Sequence, residues 1–264
     1  MSELENTQQN IEKKGGSGII GRVLPGAVRL WLRSQLKSVE KLDIRLEGGD
    51  REIISGRLPG VTIGAKNAVY KGIHLGSVGL SAEDIRVNIG QVVRGKPLRL
   101  LKGFPITGEV ALSARDLNDS MGSSLLKQGV TDFWRGLVRS PGLADEVQNL
   151  YGALPLEPDV ELQDVAVALG DEHLGLSFYP RSQTRTAEVP IVLCAKLAVA
   201  SGHLLQVSSA RWLPALSELD NPYKGETIQS LEGFEWDLGE DTQISELSIE
   251  PEQLVCIGKI QVRP

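Results

Sequence analysis

The sequence predicts an α+β fold built on a large antiparallel sheet, and three observations predict it. Apolar residues reach 41%, yet they include only four Phe, four Tyr and four Trp, so Val, Ile, Leu and Ala must supply the core, while 29 Gly require many turns. Long runs beyond residue 40 alternate apolar with polar positions, the period of a strand with one wet face. Helical spacing returns in only a few places, giving the order helix, strands, helix, strands, which suits an antiparallel sheet better than a parallel doubly wound one.

Residues 1–18 are polar, end in Gly15-Gly16-Ser17-Gly18 and are expected to form a flexible lead-in. No linker divides 19–264, which is expected to form a single elongated domain. From Ile19 to about Val39 the pattern is helical. At about 100° per residue, Ile20, Val23, Leu24, Ala27, Val28, Trp31 and Leu32 share one arc, and Arg22, Arg29, Arg33 and Lys37 cluster opposite. Pro25 delays the start to near Leu24 or kinks the helix. LDIRLEGG, from Leu42, and REIISGRL then predict a hairpin turning at Gly48-Gly49-Asp50. VTIGAKNAVY, IHLGSVGLSAEDIRVNI and PLRLLKGFPITGEVALS predict further strands. Ser113 is placed as an N-cap, with Asp116 three residues on and Leu117 and Met121 as first apolar positions. After a break near Gly122, Leu126, Val130, Phe133 and Leu137 recur at helical spacing until Pro141-Gly142, and a short third helix is expected over Leu143 to Tyr151. VELQDVAVAL, HLGLSFYP, VPIVLCAKLAVASG, HLLQVSSARWL and ISELSIEPEQLVCIGKIQVRP return to strands, and Asn221 to Asp241 reads as a polar, acidic insert.

Charge is unevenly spread. Residues 1–140 hold 21 Lys/Arg against 14 Asp/Glu, and residues 141–264 hold 7 against 20. A basic end suits anionic partners and the acidic remainder repels them. With net charge −6 and no aromatic-interleaved basic strands, nucleic acid is not expected as a partner. The longest apolar stretch, Ile19 to Leu36, is interrupted by Arg22, Arg29 and Arg33, and so does not span a bilayer. The N-terminus lacks the order of a secretory signal, so the expected location is cytoplasmic, or peripheral on the cytoplasmic face of a membrane. Cys194 and Cys256 sit in apolar strand-like runs, as small buried thiols do, and a disulfide between them is disfavoured in that compartment.

No catalytic constellation emerges, and no enzyme activity and no cofactor are expected. His74, His173 and His203 lie in separate strand-like segments without further ligands at metal spacing. GGSG and GSVG lack the Lys-Ser/Thr of a phosphate loop, GxSxG is absent, and the paired carboxylates Glu83-Asp84, Asp145-Glu146, Asp171-Glu172 and Glu240-Asp241 suit solvated turns. The N-terminal helix carries the functional signal. Its apolar arc either packs on the sheet, lies on an anionic membrane with its arginines at headgroup level, or faces a tunnel that an acyl chain enters.

The run FPITGEVALSARDLNDSMGSSLL, the basic helix feeding LDIRLEG, and the closing DLGEDTQISELSIEPEQLVCIGKIQVRP resemble the LmeA-like phospholipid-binding family over Val23 to Pro264. The likeness rests on the Gly108–Asn118 segment and the terminal Gly258-x-Ile-x-Val262. The resemblance implies a tubular lipid-binding fold in which a strongly curved antiparallel sheet wraps a long amphipathic helix and leaves an apolar groove. It also implies that Ser113, Asp116, Leu117 and Asn118 open the second helix in a structural role.

The expected function is a non-catalytic phospholipid-binding or lipid-transfer protein acting peripherally at an anionic membrane surface. Val23, Leu24, Ala27, Trp31, Leu126, Val130, Phe133 and Leu137 are the expected lining, and Arg22, Arg29, Arg33 and Lys37 the expected headgroup contacts. The rival reading is a scaffold or assembly factor that uses the same surface to bind a protein partner.

Overall fold

The computed structural model describes residues 26, 29–92, 94–151, 160–182, 188–221 and 224–263. The protein is α+β, as expected, and its mostly antiparallel strands form two open sheets. A seven-stranded sheet runs β1 (Leu36–Ser38), β3 (Arg57–Tyr70), β4 (Ile73–Arg86), β5 (Phe104–Leu112), β13 (Leu254–Val262), β12 (Thr242–Ile249), with β2 (Lys41–Glu47) also paired to β3. A six-stranded sheet runs β10 (Glu226–Thr227), β9 (Leu204–Trp212), β8 (Ile191–Ser201), β7 (Leu174–Arg181), β6 (Glu161–Leu169), with β11 (Glu235–Asp237) also on β9. The described residues within Met1–Ala68, Ser77–Gly108 and Lys259–Pro264 form one compact unit, and those within Val69–Gly76 and Glu109–Gly258 form a second.

In the first unit, Leu58, Val61, Ile85, Val87, Ile89 and Phe104 build a core on which Leu32, Ile44, Leu46 and Ile63 pack. The apolar phase of β2 is that of its sequence, with Ile44 opposite Ile63 and Leu46 opposite Val61. Helix α1 covers the described residues 29–35, and the chain turns to strand at Leu36, short of the expected helix end near Val39. Ser34 Oγ donates to the Trp31 carbonyl at 2.6 Å, which loosens the last turn, and β1 then takes its hydrogen bonds from β3.

Two strand expectations fail here for local reasons. REIISG forms α2 (Asp50–Ile54) rather than the return strand of a tight hairpin, although β2 and β3 do pair antiparallel. Adjacent Ile53 and Ile54 break the alternation, and the Gly49 amide donates to Glu52 Oε2 at 3.3 Å to start the turn. Residues after Arg86 leave the sheet through α3 (Ile89–Val92), and PLRLLKG keeps only a bridge from Leu100 to Val87. Buried Asn88 replaces the ladder: its Oδ1 accepts from the Arg99 amide at 2.6 Å and its Nδ2 donates to the Pro97 carbonyl at 3.0 Å.

The second unit is organised by β8, the central strand of the six-stranded sheet. Its unbroken IVLCA run reflects burial on both faces, with Ile191, Leu193 and Ala195 in the main core and Val192 and Cys194 in a smaller cluster with Leu213 and Leu219. Helices α4 (Ala114–Asp119), α5 (Ser124–Val138) and α6 (Leu143–Tyr151) occupy the expected positions, with the break near Gly122. Fully buried Trp134 meets Phe178 edge-on at 5.5 Å, fixing α5 on β7. The stretch Asn221 to Asp241 is more than a polar insert. Its scattered apolar residues are absorbed: Ile228 and Leu231 are completely buried, Phe234 and Trp236 pack on the same core, and the Val207 amide donates to the Phe234 carbonyl at 2.8 Å.

The two motif glycines mark close backbone approaches. A Cβ at Gly108 would stand 2.7 Å from the Gly79 carbonyl oxygen, and one at Gly258 would stand 2.6 Å from that of Gln243.

Candidate functional site

Within the second unit lies a cavity of about 280 Å³. It is covered on the helix side by Leu117 of α4, Met121, and Leu126, Val130 and Phe133 of α5. The six-stranded sheet supplies Leu193, Ala195 and Leu197 of β8, which alternate onto one face, with Leu174 and Leu176 of β7 and Leu205 and Val207 of β9. Leu254 and Cys256 of β13 and Trp236 of β11 complete much of the remaining wall. Phe133 anchors an aromatic corner, its ring 5.7 Å from Trp236 and 6.1 Å from Phe234.

The motif segment that opens the helical stretch holds α4 over this cavity. Ser113 Oγ accepts from the Asp116 amide at 3.1 Å, and Asp116 Oδ2 accepts from the Ser113 amide at 2.9 Å, a reciprocal cap. Asn118 then acts as a strand partner for β6. Its Nδ2 donates to the Val167 carbonyl at 2.8 Å and its Oδ1 accepts from the Val167 amide at 2.9 Å. Ser120 Oγ accepts from the His74 amide at 2.7 Å. With these polar groups fixed, Leu117 and Met121 turn into the cavity.

The lining is hydrocarbon, aromatic rings, the Met121 thioether and one thiol. Burial pushes the Cys256 thiol above its ordinary pKa, so it stays protonated near neutrality. Such a surface has no fixed charge with which to hold a headgroup and no donor pair for a developing oxyanion. What it can do is exclude water from an alkyl chain. Each methylene buried contributes about 0.8 kcal/mol, so roughly ten methylenes would contribute on the order of 8 kcal/mol before the entropic cost of ordering the chain.

Of the expected lining residues, Leu126, Val130 and Phe133 are brought together on this wall. Leu137 is completely buried one turn further along α5, in the core rather than at the cavity. Trp31 is half-buried in the first unit and does not line the cavity. Val23, Leu24, Ala27 and Arg22 lie outside the described residues. Arg29, Arg33 and Lys37 are exposed, the first two on α1 and the third on β1. Sequence reasoning nominated no strand residue for the lining. The signal available was the alternation Leu193, Ala195, Leu197, which is equally the mark of ordinary core. His173 is buried with Nδ1 at 2.6 Å from the Asp171 carbonyl, and His203 lies 4.0 Å from Asp237. Cys194 and Cys256 are both free thiols. No described helix is long and apolar enough to cross a membrane.

Neither the curated proteins nor the solved structures contain a match to this chain. The family model for LmeA-like phospholipid-binding proteins matches residues 15–259. That match covers nearly the whole sequence, including the capped α4 motif, the apolar cavity and both motif glycines, and the chain therefore belongs to the LmeA-like phospholipid-binding family.

Proposed function

We propose that the protein is a non-catalytic lipid carrier that holds an acyl chain of a phospholipid in the cavity under α5 and works peripherally at a membrane. The observation that carries this reading is the cavity wall, apolar throughout and about 280 Å³ in volume. That volume lies just below the ~300–1,000 Å³ usual for small-molecule pockets, so it suits part of one chain better than a whole two-chain lipid. The headgroup then remains outside, in water or among polar side chains.

Exposed Arg29, Arg33 and Lys37 are the proposed anionic headgroup contacts, each cation near the surface contributing on the order of 1 kcal/mol. Two free thiols favour a reducing compartment, and hence the cytoplasmic face. The test is a pair of assays on the purified chain: transfer of a fluorescent phospholipid between vesicles, and flotation with phosphatidylglycerol vesicles at low salt. The reading expects transfer that saturates with protein, and flotation reduced on the order of 100-fold by combined R29E, R33E and K37E. Absence of transfer would leave a lipid-binding protein that is not a carrier, and unchanged flotation would remove these cations from the contact.

A further inference from the structure

Two segments of the second unit meet at one end of the cavity. The β3–β4 turn, Tyr70-Lys71-Gly72, abuts the start of α5: a Cβ at Gly72 would stand 3.1 Å from Ser123 Cβ. Ser123 caps α5 by accepting from the Leu126 amide at 3.2 Å, and Leu126 lines the cavity. The corner shows apolar groups to solvent: Leu125 is 70% exposed and Tyr70 40% exposed, and Leu126, next along the helix, lines the cavity. Lys71 folds over the Tyr70 ring at 5.3 Å, and Lys127 is exposed two residues beyond Leu125.

The local charges are unbalanced in one direction. Asp116 caps Ser113, Asp119 pairs with Arg115 at 3.5 Å and Asp132 with Arg135 at 3.2 Å. Among the described residues no carboxylate pairs with Lys71 or Lys127. A leucine and a tyrosine flanked by uncompensated lysines have the chemistry of a membrane interface: the apolar groups enter the acyl boundary, the ring sits at headgroup level and the cations meet phosphate.

We propose that this corner is the face by which the protein docks on an anionic phospholipid bilayer, with Leu125 and Tyr70 inserting and Lys71 and Lys127 contacting phosphates. It rests on the reading of the cavity as the acyl-chain site, since docking here sets the bilayer beside the Leu126 end of that cavity. The face uses residues other than the arginines of α1 and differs in depending on insertion as well as charge.

The test uses the full chain, cosedimented with phosphatidylglycerol-containing and with pure phosphatidylcholine vesicles, and extracted lipid measured on the same preparations. L125E is expected to weaken binding to both vesicle types about tenfold. The double variant K71E/K127E is expected to weaken binding to phosphatidylglycerol vesicles on the order of 25-fold, a factor of about five per lysine, with little change on phosphatidylcholine. Both variants keep wild-type melting and wild-type lipid content. If L125E fails to fold, L125T tests the apolar contribution without a charge, and L125W tests insertion directly through quenching by brominated lipid, with no quenching overturning the proposal. Unchanged vesicle affinity in both charge variants also overturns it, as does a result in which they convert a dimer to a monomer and leave membrane binding intact. A chain without lipid and without acyl-probe binding would refute the cavity reading, whereas normal loading with unchanged vesicle binding refutes the docking face alone.

Discussion

Ala195 offers the sharpest perturbation of the cavity. It sits on the central strand β8, is 6% exposed, and points to the same apolar wall as Leu193 and Leu197. Ala195→Phe adds about six carbons, which in a void of about 280 Å³ displace a comparable number of lipid methylenes. At about 0.8 kcal/mol each, acyl-chain binding should weaken by up to about 5 kcal/mol, more than three orders of magnitude in affinity. The protein itself should be affected far less. Overpacking a filled core costs about 1–3 kcal/mol, and here the ring enters empty space, so the melting temperature should hold or fall slightly. The assay is titration with a fluorescent fatty-acyl phospholipid alongside a thermal melt, with Ala198→Phe on the exposed face of the same strand as control. Unchanged probe affinity in a folded Ala195→Phe protein would refute the reasoning, because the chain would then be binding elsewhere.

Four further outcomes follow from the same geometry. Asn118→Leu removes both partners of the Val167 backbone groups and should cost about 2–3 kcal/mol, a fall in melting temperature of roughly 5–10 °C by calorimetry, whereas Asn118→Ser should cost less. Gly258→Ala drives a Cβ toward the Gln243 carbonyl and should cost about 1–3 kcal/mol in chemical denaturation, with Lys259→Ala as a neutral neighbour. Burial raises the pKa of both Cys194 and Cys256, so the folded chain retains protons that the unfolded chain releases. Stability should therefore fall as pH rises above the ordinary thiol value, and it should be flat in this respect below it. Alkylation should follow burial: Cys256, partly accessible at the cavity wall, reacts slowly and more slowly still when acyl lipid is loaded, while Cys194 reacts only on unfolding.

Much of the architecture was legible because it is written locally. Ser113 and Asp116 cap one another within four residues, and the 126, 130, 133 spacing fixes which side of α5 is apolar. Where competing interactions are long-range, reading along the chain failed. The end of α1 is decided by β3, and Asn88 ends its strand by hydrogen-bonding residues 97 and 99, which no periodicity announces. Asn221 to Asp241 reads as a polar, acidic insert because its apolar residues are sparse, yet Leu231 and Trp236 reach the cavity wall. The cavity itself was only half visible. Leu126, Val130 and Phe133 were named from helical spacing, but which alternating strands face them depends on sheet order, and a void leaves no mark distinguishing its lining from packed core. The arc of α1 reads as packing on the sheet, lying on a membrane or facing a tunnel; of its described residues, Leu32 packs on the core of the first unit, and neither Trp31 nor Leu32 is among the residues lining the cavity.

The central claim is that an acyl chain occupies the space under α5. The most direct measurement is a native mass spectrum of the chain purified without detergent, followed by identification of the extracted lipid, on the wild type and on Ala195→Phe. The account predicts a phospholipid bound near one per chain in the wild type and its loss from the folded variant. A lipid-free wild type that also fails to take up added phospholipid would contradict it.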